Sequence, residues 1–191
     1  MAILPVAEIE QNLEKVLKIE DDMAEASTMC LSSATMSVSS FLSSRGELNL
    51  TTSITACLAA VACNKYLEES AKLPGEVKAL ADSAGMRGIT LDNSRGKFSV
   101  AIATALSKLP DENKRPMVAK IKKQIEKRDQ KASQVAVAAL FTSALPGAEK
   151  ATGIFGIFQS LFPPFGCGMA TGRAISSWQL NQIFKTEPEE N

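Results

Sequence analysis

Residues 26–44 read ASTMCLSSATMSVSSFLSS, nineteen positions without an Asp, Glu, Lys or Arg. Three more stretches, 48–64, 132–148 and 151–172, share that property, and short segments dense in charge lie between them. Water covers so many neutral helical turns poorly. The uncharged stretches are therefore expected to be buried in the chain's own core, against a partner subunit or at a membrane.

Spacing within the segments points to helix almost throughout. Val6, Ile9, Leu13, Val16 and Leu17 recur every three or four positions opposite acidic residues, which predicts an amphipathic helix over 5–26. A second helix over 27–44 carries Met29, Leu31, Met36, Val38, Phe41 and Leu42 among many serines and stops at Arg45-Gly46. Serine is a modest helix former, so this helix needs tertiary packing to persist. Thr51 or Thr52 caps a third, which Leu73-Pro74-Gly75 breaks before a short helix over 76–84. Further helices are expected over 97–109, from Pro116 to about 145, over 148–162 ahead of a Pro163-Pro164 corner, and over 172–185. Ile89 to Leu91 is the only plausible extended segment, and three residues do not make a sheet.

The fold class that follows is all-α: a bundle of six to eight helices with an apolar C-terminal helical hairpin. With 191 residues, 45% of them hydrophobic and 22% charged, the chain can bury a sizeable core as one domain over 1–191, the alternative being a division into 1–110 and 111–191. Aromatics are only 5%, which favours close helix contact through small side chains over a bulky aromatic core. Formal net charge is zero, so nothing global recommends a polyanionic partner.

Cys30, Cys57, Cys63 and Cys167 all sit in uncharged stretches, where a buried, reduced thiol acts as a small apolar side chain. With no histidine and no Cys-x-x-Cys spacing, neither a metal site nor a cofactor is expected. The opening residues MAILPVAEIEQ lack a basic region followed by an apolar run, so no secretory signal is read. The expected location is the cytoplasm, or a particle or membrane surface. Asn49-Leu50-Thr51 fits a glycosylation sequon but means little without export.

Three constellations are candidates for function. Lys120, Lys123, Lys127 and Lys131 fall within about 80° of one another on a helix, opposite Val118, Ile121 and Ile125. Such a stripe suits phosphates or anionic lipid, but the acidic first helix, with Glu8, Glu10, Glu14 and Glu20, is an equally complementary protein partner. No aromatic residue is interleaved with the lysines, which favours protein pairing over nucleic acid. The second constellation is the apolar hairpin, with Phe141, Ile154, Phe155, Phe158, Leu161, Phe162 and Phe165. Prolines interrupt both of its arms, so neither supplies the roughly 20 apolar residues of a spanning helix. Gly168-x-x-x-Gly172 within it permits close helix approach. The third is a weak anion-binding loop with Arg87, Arg95 and Lys97 among glycines; Phe98 stands where a phosphate-binding loop needs Ser or Thr.

Catalysis is not expected. The commonest general base is absent, and Ser94-x-x-Lys97 lacks the companion elements of a serine-lysine nucleophile. The sequence reads as a non-enzymatic structural or interaction subunit. It would self-assemble, as in a shell, filament or virion layer, or bind a protein partner, through small-residue helix faces and acidic-basic helix pairing. The competing class is a membrane-inserting protein using 132–172. A weaker one is a nucleic-acid-associated protein using the stripe in 114–131. No small-molecule substrate is implied.

Overall fold

A computed structural model describes residues 6–86, 95–143 and 154–186, with side chains at all of these except 95–97, 142–143 and 154–159. The described residues form α1 (Val6–Ser43), α2 (Leu50–Ser83), α3 (Arg95–Lys108), α4 (Asp111–Ser143), α5 (Ile154–Asn181) and a 3-10 turn, Gln182–Phe184. The protein is all-α. The Ile89 to Leu91 segment and the residues joining α4 to α5 lie outside the described residues.

Among the described residues five long helices stand where six to eight were expected, because three anticipated breaks are bridged. No interruption separates 5–26 from 27–44; α1 runs through both. Pro74 sits inside α2, and Pro163 and Pro164 sit inside α5. A proline forfeits its own N–H bond, but its fixed φ is helical, and packing on both sides can hold the helix direction. At Pro74 that packing is visible: Leu73 before it and Val77, Leu80 and Ala81 after it all contribute to one core. Likewise α4 starts at Asp111 rather than Pro116, because the Pro110 carbonyl accepts from the N–H groups of Asn113 and Lys114 and Asp111 and Glu112 suit the positive helix end.

Helix ends have identifiable causes. Asn49, rather than Thr51 or Thr52, caps α2: its Oδ1 accepts from the Thr52 N–H at 2.8 Å. α1 stops where Arg45 and Gly46 turn left-handed, at φ 55° and 86°, with paired hydrogen bonds from Gly46 N–H to Phe41 O and from Arg45 N–H to Leu42 O. α2 ends the same way, with Gly85 at φ 74° and bonds from Met86 N–H to Ala81 O and from Gly85 N–H to Asp82 O. Met86, just past the cap, is buried.

The chain divides into two compact units. The first comprises Met1–Met23, Glu68–Glu126 and Ser177–Asn191; the second, Ala24–Leu67 and Lys127–Ser176. In the first unit Ile9, Leu13, Val16 and Leu17 of α1 are fully buried against Leu80 of α2, Ile102 of α3, Ile121 of α4 and Leu180 of α5. Polar clasps surround this core. Asn12 Nδ2 donates to Ala79 O at 3.3 Å, Asn113 Nδ2 donates to Glu10 Oε1 at 2.8 Å, and the Lys122 ammonium stands 5.7 Å from the Phe184 ring centre.

The second unit is built on a different principle. Its buried side chains include Ala24, Ala26, Thr28, Ser32, Ser33 and Ser40 of α1, Thr52 and Thr55 of α2, Arg128 and Ala139 of α4 and Ser176 of α5, the Arg128 guanidinium donating to the Ser176 carbonyl. Hydroxyls go inside without an unmet donor because they bond carbonyls of their own helix: Thr28 to Ala24 O at 2.7 Å, Ser32 to Thr28 O at 2.6 Å and Thr55 to Thr51 O at 2.8 Å. Small volume then lets backbones approach. The Gly168 and Gly172 Cα atoms lie directly against α1 at Ser32 and Thr28, and Gly166 lies against Ala139 of α4. Thr35 Oγ1 stands 2.7 Å from the Pro164 carbonyl oxygen, tying α1 to α5.

Candidate interaction surface

Because small side chains fill the interior of the second unit, its large apolar side chains face outward. Exposed on α1 are Met29, Val38 and Leu42; on α2, Leu50, Ile54, Leu58 and Val61; on α4, Val137, Leu140 and Phe141; on α5, Ile175. All four uncharged stretches of the sequence fall in this unit. The outward face of α2 is the best organised: Ser53, Ile54, Cys57, Leu58 and Val61 line a shallow apolar groove of about 310 Å³.

The cysteines depart from the expectation of a buried, reduced set. Cys30 of α1 and Cys63 of α2 form a disulfide with Cα atoms 5.1 Å apart, while Cys57 and Cys167 are free thiols on exposed residues. The pairing follows from the hairpin register. Ser40 Oγ accepts from Thr52 Oγ1 at 2.9 Å near the turn, and counting ten residues outward along both antiparallel helices brings 30 opposite 62, next to 63. Sequence spacing alone carried no signal for it.

The lysine stripe is set out along α4 as expected, with Lys120, Lys123, Lys127 and Lys131 exposed, Ile121 buried and Val118 and Ile125 half-buried. Among the described residues Lys120 of the stripe is paired: its Nζ reaches Glu14 Oε1 of the acidic first helix at 2.7 Å. Both partners are solvated, so the pair contributes less than about 1 kcal/mol, and its main effect is to reduce the stripe's charge. Lys72 holds its proton above the ordinary lysine range, chiefly through its hydrogen bond to Glu69 at 2.8 Å, which outweighs the opposing desolvation and is reinforced by the negative charges of Glu69, Glu68 and Asp22.

Of the hairpin residues, Phe141 is exposed and Leu161, Phe162 and Phe165 are half-buried. Ile154, Phe155 and Phe158 lie on α5, but their side chains are outside those described, as are the side chains of Arg95 and Lys97 at the start of α3; Arg87 lies outside the described residues altogether. The glycine pair 168 and 172 brings α5 onto α1 within the chain, so this small-residue face is already used in folding. Among the described residues no group of three or more Cys, Asp or Glu could hold a metal ion, and no helix is long and apolar enough to cross a membrane.

The residues that sequence reasoning missed are those of the α2 groove. Their signal was present: Leu50, Ile54, Cys57 and Val61 alternate at four, three and four positions with no ionisable residue between them. Apolar periodicity alone does not tell an outward stripe from an inward one. Comparison of the chain with protein-family models, with curated proteins and with solved structures gives no match.

Proposed function

We propose that the chain is a non-enzymatic interaction subunit that self-assembles, further copies covering the apolar side chains of its second unit. The observation that carries this reading is the inversion of that unit, with hydroxyls and glycines inside and Leu, Ile, Val and Phe outside. Scattered apolar residues are ordinary on a soluble surface, but several on the uncharged stretches of one unit are the mark of a surface meant to be covered. The small-residue faces serve folding, and the large-residue faces serve assembly. Light scattering from dilute to concentrated protein tests this. A mass above the 20.4 kDa of one chain, rising with concentration, is the expected result, and a monomer at the highest concentration overturns it.

A second reading has support from the same inversion. Small residues and self-bonded hydroxyls between helices, with large apolar side chains outward, is also how helices pack in lipid. In this reading the apolar hairpin of 132–172 leaves the bundle and inserts, shallowly given the helix lengths and hydropathies. Vesicle flotation separates the two: the hairpin reading expects the chain to float with anionic liposomes and Phe141→Glu to reduce it. A chain that stays at the bottom of the gradient excludes insertion.

A further inference from the structure

We propose that the outward face of α2 over residues 50–61 is a two-fold interface with the same face of a second copy of this chain, its axis passing beside Cys57. The inference deepens the self-assembly reading and rests on it.

At 100° per residue, Cys57, Leu50, Val61, Ile54 and Leu58 lie in that angular order within about 100° of arc, one continuous stripe. Leu50 is 76% exposed, Ile54 51%, Leu58 55% and Val61 69%, and Cys57 is exposed between them. Their alternating spacing is that of a coiled-coil seam, in which each side chain enters a hole made by the facing helix. The groove along Ser53, Ile54, Cys57, Leu58 and Val61 is such a hole.

Three properties select a second copy as the occupant. A face that meets itself confronts its own charges, and 48–64 has none. Fully covered, the exposed parts of these five residues amount to on the order of 450 Å² per copy, so two stripes approach the roughly 1,000 Å² of a stable interface, and the pairing is expected to be weak and concentration-dependent. The seam is also symmetric about its middle: Ile54 and Val61 flank Cys57 at nearly equal distances along the helix. Either direction of the partner helix thus sets apolar residues against apolar residues and brings the two Cys57 thiols together.

The test uses the full chain in two arms. In Cys167→Ser protein, a short bismaleimide is expected to join two chains through Cys57, and adding Cys57→Ser abolishes the joined species on a denaturing gel. Failure to cross-link a sample that light scattering shows to be oligomeric overturns the seam. In the second arm Val61→Glu, an exposed change that leaves the interior intact, is expected to weaken association on the order of 100-fold, because in either helix direction a carboxylate is then buried among the partner's apolar side chains with no counter-charge. Trp178→Glu on α5, comparably exposed but in the first unit, is the control and keeps the wild-type mass. If the wild type is oligomeric and Val61→Glu retains its mass, assembly stands and this interface falls. If the wild type is monomeric at every concentration, both fall.

Discussion

Replacing Gly168 by alanine gives the sharpest test of how the second unit is held together. A Cβ there would stand 2.6 Å from the Ser32 Cα and the Thr35 Oγ1 and 2.8 Å from the Leu31 carbonyl oxygen. Comfortable contact needs about 3.5 Å or more, and two of these neighbours are backbone, so α1 and α5 must part by about 1 Å. Overpacking of that kind costs about 1–3 kcal/mol. Parting the helices also strains the Thr35 contact with the Pro164 carbonyl, a bond worth about 1 kcal/mol. Against this stands the helix preference of alanine over glycine, about 1 kcal/mol. The net expectation is a loss of about 2 kcal/mol in urea unfolding followed by far-UV circular dichroism. Gly75 supplies the internal control: it lies inside α2, nothing is within 4 Å of its would-be Cβ, and Gly75→Ala should stabilise by about 0.5–1 kcal/mol. A Gly168→Ala protein as stable as the wild type would refute the close-approach account, and the opposite sign at Gly75 makes propensity alone an insufficient explanation of the pair.

The remaining expectations are of the same kind. The Cys30–Cys63 bridge spans 33 residues, so breaking it with a Cys30→Ser and Cys63→Ser double change should lower the free energy of unfolding by about 3–4 kcal/mol, chiefly by freeing the unfolded chain; an unchanged urea midpoint would show that the bridge does not form in solution. Asn49→Ala removes the cap of α2 and should cost about 1 kcal/mol in the same assay, whereas Asn49→Asp, which keeps the acceptor, should cost far less. Lys72 should titrate above an ordinary lysine by NMR and return toward it in Glu69→Gln. Its folded pKa is raised, so stability from this pair is fully present below the unfolded lysine value and disappears as pH climbs through the folded one; the two proteins should therefore differ at neutral pH and converge in strong alkali.

What the sequence disclosed depended on which physical rule governed each segment. In the first half of α1 hydrophobic burial governs, and the three-and-four spacing of Ile9, Leu13, Val16 and Leu17 names the buried face directly. The same holds on α4, where Ile121 is buried and the four lysines are exposed. In 27–44 the rule inverts. Reading apolar residues as inward puts Val38 and Leu42 in the core, yet they are exposed while Thr28, Ser32 and Ser40 are buried. Hydropathy treats a hydroxyl as a group that needs water, but in a helix it can be satisfied by the carbonyl four residues back, and its small volume becomes the property that matters. Prolines 74, 163 and 164 were overread for a related reason: a local break costs one hydrogen bond apiece, and packing spread over several turns outweighs it.

The two units therefore obtain their stability from different sources, and this bears on function. Full burial of one large aliphatic side chain contributes about 1.5–3 kcal/mol, and the first unit collects that contribution many times through Leu13, Leu80, Ile102, Ile121 and their neighbours. The second unit relies on close backbone contact at three glycines, on hydroxyls bonded within their own helices and on a disulfide. It leaves Leu50, Ile54, Leu58 and Val61 more than half exposed. A unit organised for its own stability alone would turn those side chains inward, where they would each add a contribution of that size. Under the proposed self-assembly, their outward placement on one uncharged stripe would realise that gain on contact with another copy, and this is the physical ground on which assembly is proposed for this fold.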